Sequence, residues 1–111
     1  MVAFVAATML AGSGYAGNND ADVQSLLAQC KPNNGGWSYC LGYVGGVADM
    51  MAMNGVLSPR PALSICVGQT IPTYGAYQQA FINWAEAHPE KWQSHQGFGV
   101  IESLRATWPC P

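Results

Sequence analysis

The chain has 111 residues, enough for one small domain. Charged residues make up only 9% of it, and the net charge is −2. Because domains that bind nucleic acids carry a basic patch or stripe, this composition argues against a nucleic-acid partner. A surface with so few charges must consist largely of uncharged polar residues, which favours a protein partner or self-association.

The first sixteen residues, Met1–Ala16, predict a secretory signal peptide. The apolar run at residues 2–11 is too short to span a bilayer, and Gly14 and Ala16 place small residues where a signal peptidase cleaves. The alternative is a buried N-terminal helix. Cleavage after Ala16 would leave a single exported helical domain, residues 17–111, in which we expect no segment apolar enough to span a membrane.

Apolar residues recur at helical spacing in four later stretches, and no alternating strand pattern occurs. The predicted fold class is therefore all-α, a small bundle of four to five helices. N-cap residues and Pro or Gly clusters bound the stretches. The boundaries expected from these signals are N-cap candidates Asn18, Asn19 and Asp20, a C-cap at Asn54–Gly55, a third helix from Thr73 to Pro89, and a last helix from about Ser94 to Thr107.

The second predicted helix, near residues 39–54, has two distinct faces. One line carries Cys40, Val44, Val47 and Met51, which we expect in the core. The other carries Gly42, Gly45, Gly46, Asp49 and Met53. Three glycines inside a helix cost about 1 kcal/mol each relative to alanine, so we expect close approach of another backbone there. Asp49 is then either a surface acid or a polar anchor at an interface, and the methionines are interpreted as core filler.

Four cysteines in a small exported chain predict two disulfides. Short connections make neighbouring helices antiparallel. Cys30 ends the first helix and Cys40 opens the second, so these thiols can meet across one hairpin. Cys66 precedes the third helix and Cys110 follows the fourth, which places them at adjacent ends of a helix pair. We therefore predict the pairs Cys30–Cys40 and Cys66–Cys110.

No residue pattern predicts an active site. His88 and His95, the two histidines, flank helix ends beside polar residues and are interpreted as structural. The carboxylates are scattered, no zinc-ligand spacing occurs, and disulfides would remove the cysteines as nucleophiles. We therefore predict no catalytic, cofactor-binding or metal-binding residues. Trp92, between two helices, either packs under its connection or contacts a partner.

The chain resembles a known family in several pieces that follow the family's order. They are Leu27-Ala28-Gln29-Cys30, the run from Cys40 to Asp49, Cys66 ahead of an amphipathic helix, Trp84 to Glu90, and the closing Trp108-Pro109-Cys110. The sequence resembles the Rap/Tai immunity proteins, which protect bacteria from type VI secretion amidase toxins. It departs from the family at Gly68, where a proline is usual, and in a long loop from Asn54 to Cys66.

This resemblance implies a disulfide-bonded periplasmic protein, often dimeric, that binds a peptidoglycan amidase and blocks access to its catalytic cysteine. For the inserted part we expect the segment Glu90, Lys91, Trp92, Gln93, Ser94 and His95, with Asn54 to Arg60 second. For self-association we expect the face formed by Gly42, Gly45, Gly46 and Asp49.

Two other classes compete with this interpretation. One is a small periplasmic helical binding module or acid-stress chaperone without a toxin partner. Two histidines and few acids make a strong pH switch a poor fit to this chain. The other is an enzyme, for which no residue pattern argues.

Overall fold

A computed structural model describes residues 21–57 and 60–111. Within these residues the secondary structure consists of four α-helices, two single-turn 3-10 helices and one isolated β-bridge between Asp22 and His95, which confirms the all-α prediction. The signal peptide and the caps expected at residues 18–20 lie outside the described residues. The α-helices are α1 (Val23–Gln29), α2 (Trp37–Leu57), α3 (Tyr74–Ala87) and α4 (Gln96–Thr107), and the 3-10 turns are Pro61–Leu63 and Pro89–Lys91.

Side-chain caps fix the starts of three helices. Asp22 caps α1, because its Oδ1 accepts the Ser25 N–H at 2.8 Å. This cap lies two residues after the last of the predicted candidates. Thr73 caps α3 as predicted, its hydroxyl accepting the Ala76 N–H at 3.1 Å. α4 begins at Gln96, slightly later than predicted, with His95 as its cap.

The predicted end of α2 at Asn54–Gly55 is wrong, because the helix continues to Leu57. Gly55 serves a different purpose. A Cβ there would overlap the carbonyl oxygen of Ile65. The Ile65 N–H donates to the carbonyl of Met51 at 3.1 Å, so the chain after α2 folds back directly onto the helix. The glycine permits this close crossing and does not stop the helix.

The core lies between α2, α3 and α4, with α1 closing one side. Its largest fully buried side chains are Tyr77, Phe81, Leu26, Met51 and Ile65. On α2 the buried line is Cys40, Val44, Ala48 and Met51, whereas the predicted Val47 is only half-buried. The core face of α2 is therefore rotated slightly from the predicted line.

α2 is long and apolar enough to cross a membrane, with a mean hydropathy of 1.2 over an 18-residue window. The expectation that no segment after the leader reaches this level is therefore wrong. The valines and leucines of the helix raise the average, and its four glycines lower it slightly. In this fold α2 is the central helix, yet only 28% of that window is buried inside the molecule. Much of an apolar helix is thus left uncovered by the described chain.

Candidate functional site

Two disulfides have the predicted pairing and fix the ends of the helices. Cys30 and Cys40 join the end of α1 to the first turn of α2, with Cα atoms 5.1 Å apart. Cys66 and Cys110 join the segment before α3 to the residues after α4, with Cα atoms 4.9 Å apart. No cysteine is free. By loop entropy the two bonds stabilise the fold by about 2.8 and about 4 kcal/mol, respectively.

The segment expected to contact the partner, residues 90–95, is tied to the start of α1 by backbone hydrogen bonds. The Val23 N–H donates to the Ser94 carbonyl at 2.9 Å, and the Gln24 N–H donates to the Trp92 carbonyl at 3.1 Å. The Gln96 N–H donates to the Ala21 carbonyl at 2.7 Å. These bonds use donors at the first turn of a helix that would otherwise need water. The segment is consequently held in one conformation.

The side chains of this segment divide into anchors and exposed groups. Trp92 is an anchor, since its Nε1–H donates to the Ala85 carbonyl at 2.8 Å and the ring packs against the core. His95 is exposed and serves as the α4 cap through Nδ1, which accepts the Gly97 N–H at 3.0 Å. Glu90, Lys91 and Gln93 are exposed, and Ser94 is half-buried.

The second expected contact segment, residues 54–60, is not a continuous loop. Residues 54–57 form the last turn of α2, and Arg60 leads into the following 3-10 turn. The side chain of Asn54 donates to the Leu63 carbonyl at 3.1 Å. The described residues of this segment therefore belong to the end of α2 and the start of the 3-10 turn.

The predicted glycine face of α2 is divided by α3. Gly42 and Gly46 are exposed, and a Cβ added at either would meet nothing within 4 Å. Gly45 is buried, and a Cβ there would overlap the ring of Tyr74. The Tyr74 hydroxyl donates to the Asp49 carboxylate across the same contact. Gly45 was therefore wrongly assigned to a surface for a second copy, because its close neighbour belongs to the same chain.

An apolar groove that the sequence analysis missed lies between the second half of α2 and residues 67–71. We call it the α2 groove; its volume is about 440 Å³, and it is lined by Asp49, Ala52, Met53, Val56, Val67, Gly68, Ile71 and Tyr77. Met53, predicted as core filler, is 58% exposed here. Gly68 has φ of +74°, a left-handed conformation that proline cannot adopt. The departure from the family's usual proline therefore has a conformational basis.

The polar groups of the α2 groove are few and close together. Tyr77 is 1% exposed, and its hydroxyl has no hydrogen-bond partner among the described residues. Burial raises the pKa of Tyr77, and the nearby negative charge of Asp49 raises this pKa further. Hydrogen bonding to Asp49 raises the pKa of Tyr74 in the same way. Both phenols therefore stay neutral at physiological pH.

Three other titratable side chains, His88, Lys31 and Glu86, make structural contacts. His88 lies 2.7 Å from the Trp84 carbonyl through Nδ1, and its ring stacks on Trp84 with centroids 4.6 Å apart. Lys31 pairs with Glu86 between α1 and α3. Within the described ranges, no three His, Cys, Asp or Glu side chains are grouped so as to hold a metal ion. The described surface has two candidate contact areas for a partner, the α2 groove and residues 90–95.

Comparison with protein-family models matches residues 22–110 to Rap1a immunity proteins. The chain belongs to the Rap1a immunity protein family. Neither the curated proteins nor the solved structures contain a match to this immunity protein. The matched range contains both disulfides, all four helices and both candidate contact areas.

Membership gives this immunity protein a toxin-binding role. Its two disulfides fit a protein that folds in an oxidising compartment outside the cytosol. The earlier resemblance to immunity proteins is confirmed at the level of the family.

Proposed function

We propose that the chain is a periplasmic immunity protein that binds a type VI secretion peptidoglycan amidase and blocks its active site. The observation that carries this proposal is the fixed conformation of residues 90–95. Two backbone hydrogen bonds from this segment to α1, a third from the next residue, Gln96, to Ala21, and the Trp92 anchor hold it on a disulfide-linked scaffold. A preorganised segment loses little conformational entropy on entering a cleft, which favours tight inhibition.

Exposed side chains at the tip of the segment supply the contacts in this proposal. Glu90, Lys91 and Gln93 point to solvent, whereas Trp92 keeps the turn in place from below. These side chains offer a carboxylate, an ammonium group and an amide to the rim of the amidase cleft. Because such residues are not needed for packing, they can be changed without unfolding the scaffold.

The test is neutralisation of a type VI secretion cysteine amidase, taken from the adjacent gene if that gene encodes one, and exported to the periplasm with and without the immunity protein. We expect the wild-type chain to restore growth and to inhibit the purified amidase. The triple variant E90A/K91A/Q93A should bind at least tenfold more weakly at unchanged stability. The matched control is Q79A/N83A, which removes an exposed hydrogen-bonded pair on α3.

Two outcomes would count against the proposal in different ways. If the wild-type chain fails to protect cells, amidase inhibition is wrong. If the triple variant inhibits as well as the control, inhibition stands but residues 90–95 are not the contact. Protection of unrelated proteins from acid-induced aggregation, without amidase binding, would instead support the chaperone alternative.

We also propose that the exposed part of the glycine face, Gly42 and Gly46, takes part in self-association. Its support is that a neighbouring backbone could approach these positions closely, because neither carries a side chain and nothing in the described chain covers them. Gly46→Leu should weaken association measured by sedimentation. An unchanged sedimentation coefficient with unchanged helicity would show that this face is simply solvent-exposed.

A further inference from the structure

The α2 groove gathers apolar side chains that a monomer would ordinarily bury. Val56 is 79% exposed, Ile71 73% and Met53 58%, and all three line this one depression. Isolated exposed apolar residues are common, but several that line one concave site mark an interaction surface. The shape favours a helix or extended segment laid along the groove over a flat surface.

A buried polar group at the groove lacks a partner. The hydroxyl of Tyr77 makes no hydrogen bond within the described chain although the side chain is almost fully buried. A buried hydroxyl without a hydrogen bond destabilises the folded chain.

The charge of the groove points to the chemistry of its occupant. Among the described residues, Asp49 is the only charged side chain that lines the groove, and it is the only one on α2. Its carboxylate accepts the Tyr74 hydroxyl and has further acceptor positions open to solvent. A lone carboxylate at the rim of an apolar depression complements a lysine or arginine beside apolar side chains.

A second copy of this chain fits that requirement poorly. The sequence contains only four Lys and Arg residues, and none lies on α2. Lys31 is already paired with Glu86 on another side of the bundle. Self-association at Gly42 and Gly46 would use the first half of α2. Two copies joined through their α2 grooves, in the second half, would instead place two Asp49 carboxylates together, with no lysine or arginine from either α2. A different protein, richer in basic residues, satisfies the charge of Asp49.

We propose that the α2 groove is a second docking site for the toxin, and that it receives an apolar segment of the toxin carrying a lysine or arginine. Apolar side chains of that segment would cover Met53, Val56 and Ile71, and the cation would pair with Asp49. This inference rests on the toxin-binding role and adds a contact separate from residues 90–95.

Methionine methyl groups provide a direct reporter. The described chain has three methionines, all on α2: Met51 is fully buried, Met50 is 47% exposed outside the groove, and Met53 lies within it. Chains labelled with 13C at the methionine methyl are titrated with an amphipathic peptide whose leucines follow helical spacing and are flanked by lysines. The Met53 resonance should shift and saturate, while that of Met50 stays in place.

The contribution of peptide charge is tested with a second peptide of the same sequence in which glutamates replace the lysines. Because exposed ion pairs are weak, we expect it to bind about two- to fivefold more weakly. In the variant Asp49→Asn the two peptides should bind equally. Met53→Glu should weaken the lysine peptide about tenfold or more, because it places a charge in an apolar site. Met50→Glu is the matched control and should change binding little.

The same variants are then tested with the amidase. Loss of amidase binding by Met53→Glu but not by Met50→Glu supports the proposal. If the Met53→Glu variant inhibits the amidase fully, and the peptide causes no shift of Met53 in the wild-type chain, the proposal is overturned and the inhibitory function stands. If the wild-type chain does not bind the amidase but the Met53 shift occurs, the inhibitory function fails and the groove remains a site for basic apolar segments. If Met53→Glu changes only the sedimentation of the protein, a second copy occupies the groove and the proposal is wrong.

Discussion

Gly45 and Gly46 are neighbours on α2 with opposite surroundings, so an alanine at each position tests the packing of α3 on α2. At Gly46 an added Cβ meets nothing within 4 Å. Alanine is favoured over glycine in a helix interior by about 1 kcal/mol. We therefore expect Gly46→Ala to raise the free energy of unfolding by about 1 kcal/mol.

At Gly45 the same gain in helix propensity is opposed by a clash. The added Cβ overlaps the ring of Tyr74, which is 41% exposed and must swing away. Its packing and its hydrogen bond to Asp49 are then lost, at a combined cost of about 2 kcal/mol. Gly45→Ala should therefore lower the free energy of unfolding by about 1 kcal/mol, a difference of about 2 kcal/mol from the neighbouring variant.

Urea unfolding with intact disulfides, followed by circular dichroism, measures both variants. A double-mutant cycle identifies the cause: in a Tyr74→Ala background, Gly45→Ala should become as stabilising as Gly46→Ala. Equal stabilisation by the two alanines in the wild-type background would refute the contact between Tyr74 and Gly45. A loss of unfolding free energy on Gly45→Ala that persists in the Tyr74→Ala background would refute the contact as well.

Three further predictions concern the turn after Cys66, alkaline pH and the longer disulfide loop. Gly68→Ala should lower the free energy of unfolding, measured in urea, by about 1 kcal/mol, because an L side chain disfavours the φ of +74°. If this free energy does not fall, the turn is not left-handed at Gly68. The folded-state pKa of Tyr77 is raised above 10.0, so its contribution to stability is complete below pH 10.0 and is lost as pH rises from there through the folded-state pKa. Tyr77→Phe should make the alkaline decline in melting temperature shallower, and an unchanged slope would contradict this. Replacing both cysteines of Cys66–Cys110 by alanine should cost about 4 kcal/mol, against about 2.8 kcal/mol for the other disulfide, and the reverse order in urea would contradict the loop-length argument.

The helices and the sulfur pairing could be predicted because both depend on signals close in sequence. Thr73 is an N-cap directly before a clean apolar stripe, and α3 begins there as expected. Cys30 and Cys40 are separated by one short hairpin, so their pairing follows from the antiparallel helices. In each case the local pattern and the final packing favour the same structure.

The sequence prediction was wrong where contacts between distant segments decide the structure. Asn54–Gly55 is a good local C-cap, but the crossing of Ile65 over Gly55 uses that glycine inside a continuing helix. The helical wheel placed Gly45 with Gly46, and only the position of Tyr74 on α3 separates them. The α2 groove was missed for the same reason, since its wall at Ile71 comes from a segment without regular structure.

The hydrogen bond between the Gln96 N–H and the Ala21 carbonyl brings the beginning of the described chain against residues 90–95. Ala21 therefore lies beside the surface proposed to enter the amidase. An affinity tag fused directly to Ala21 would start next to this surface. Weak binding measured with such a fusion would report obstruction by the tag, so quantitative work calls for an untagged or C-terminally tagged protein.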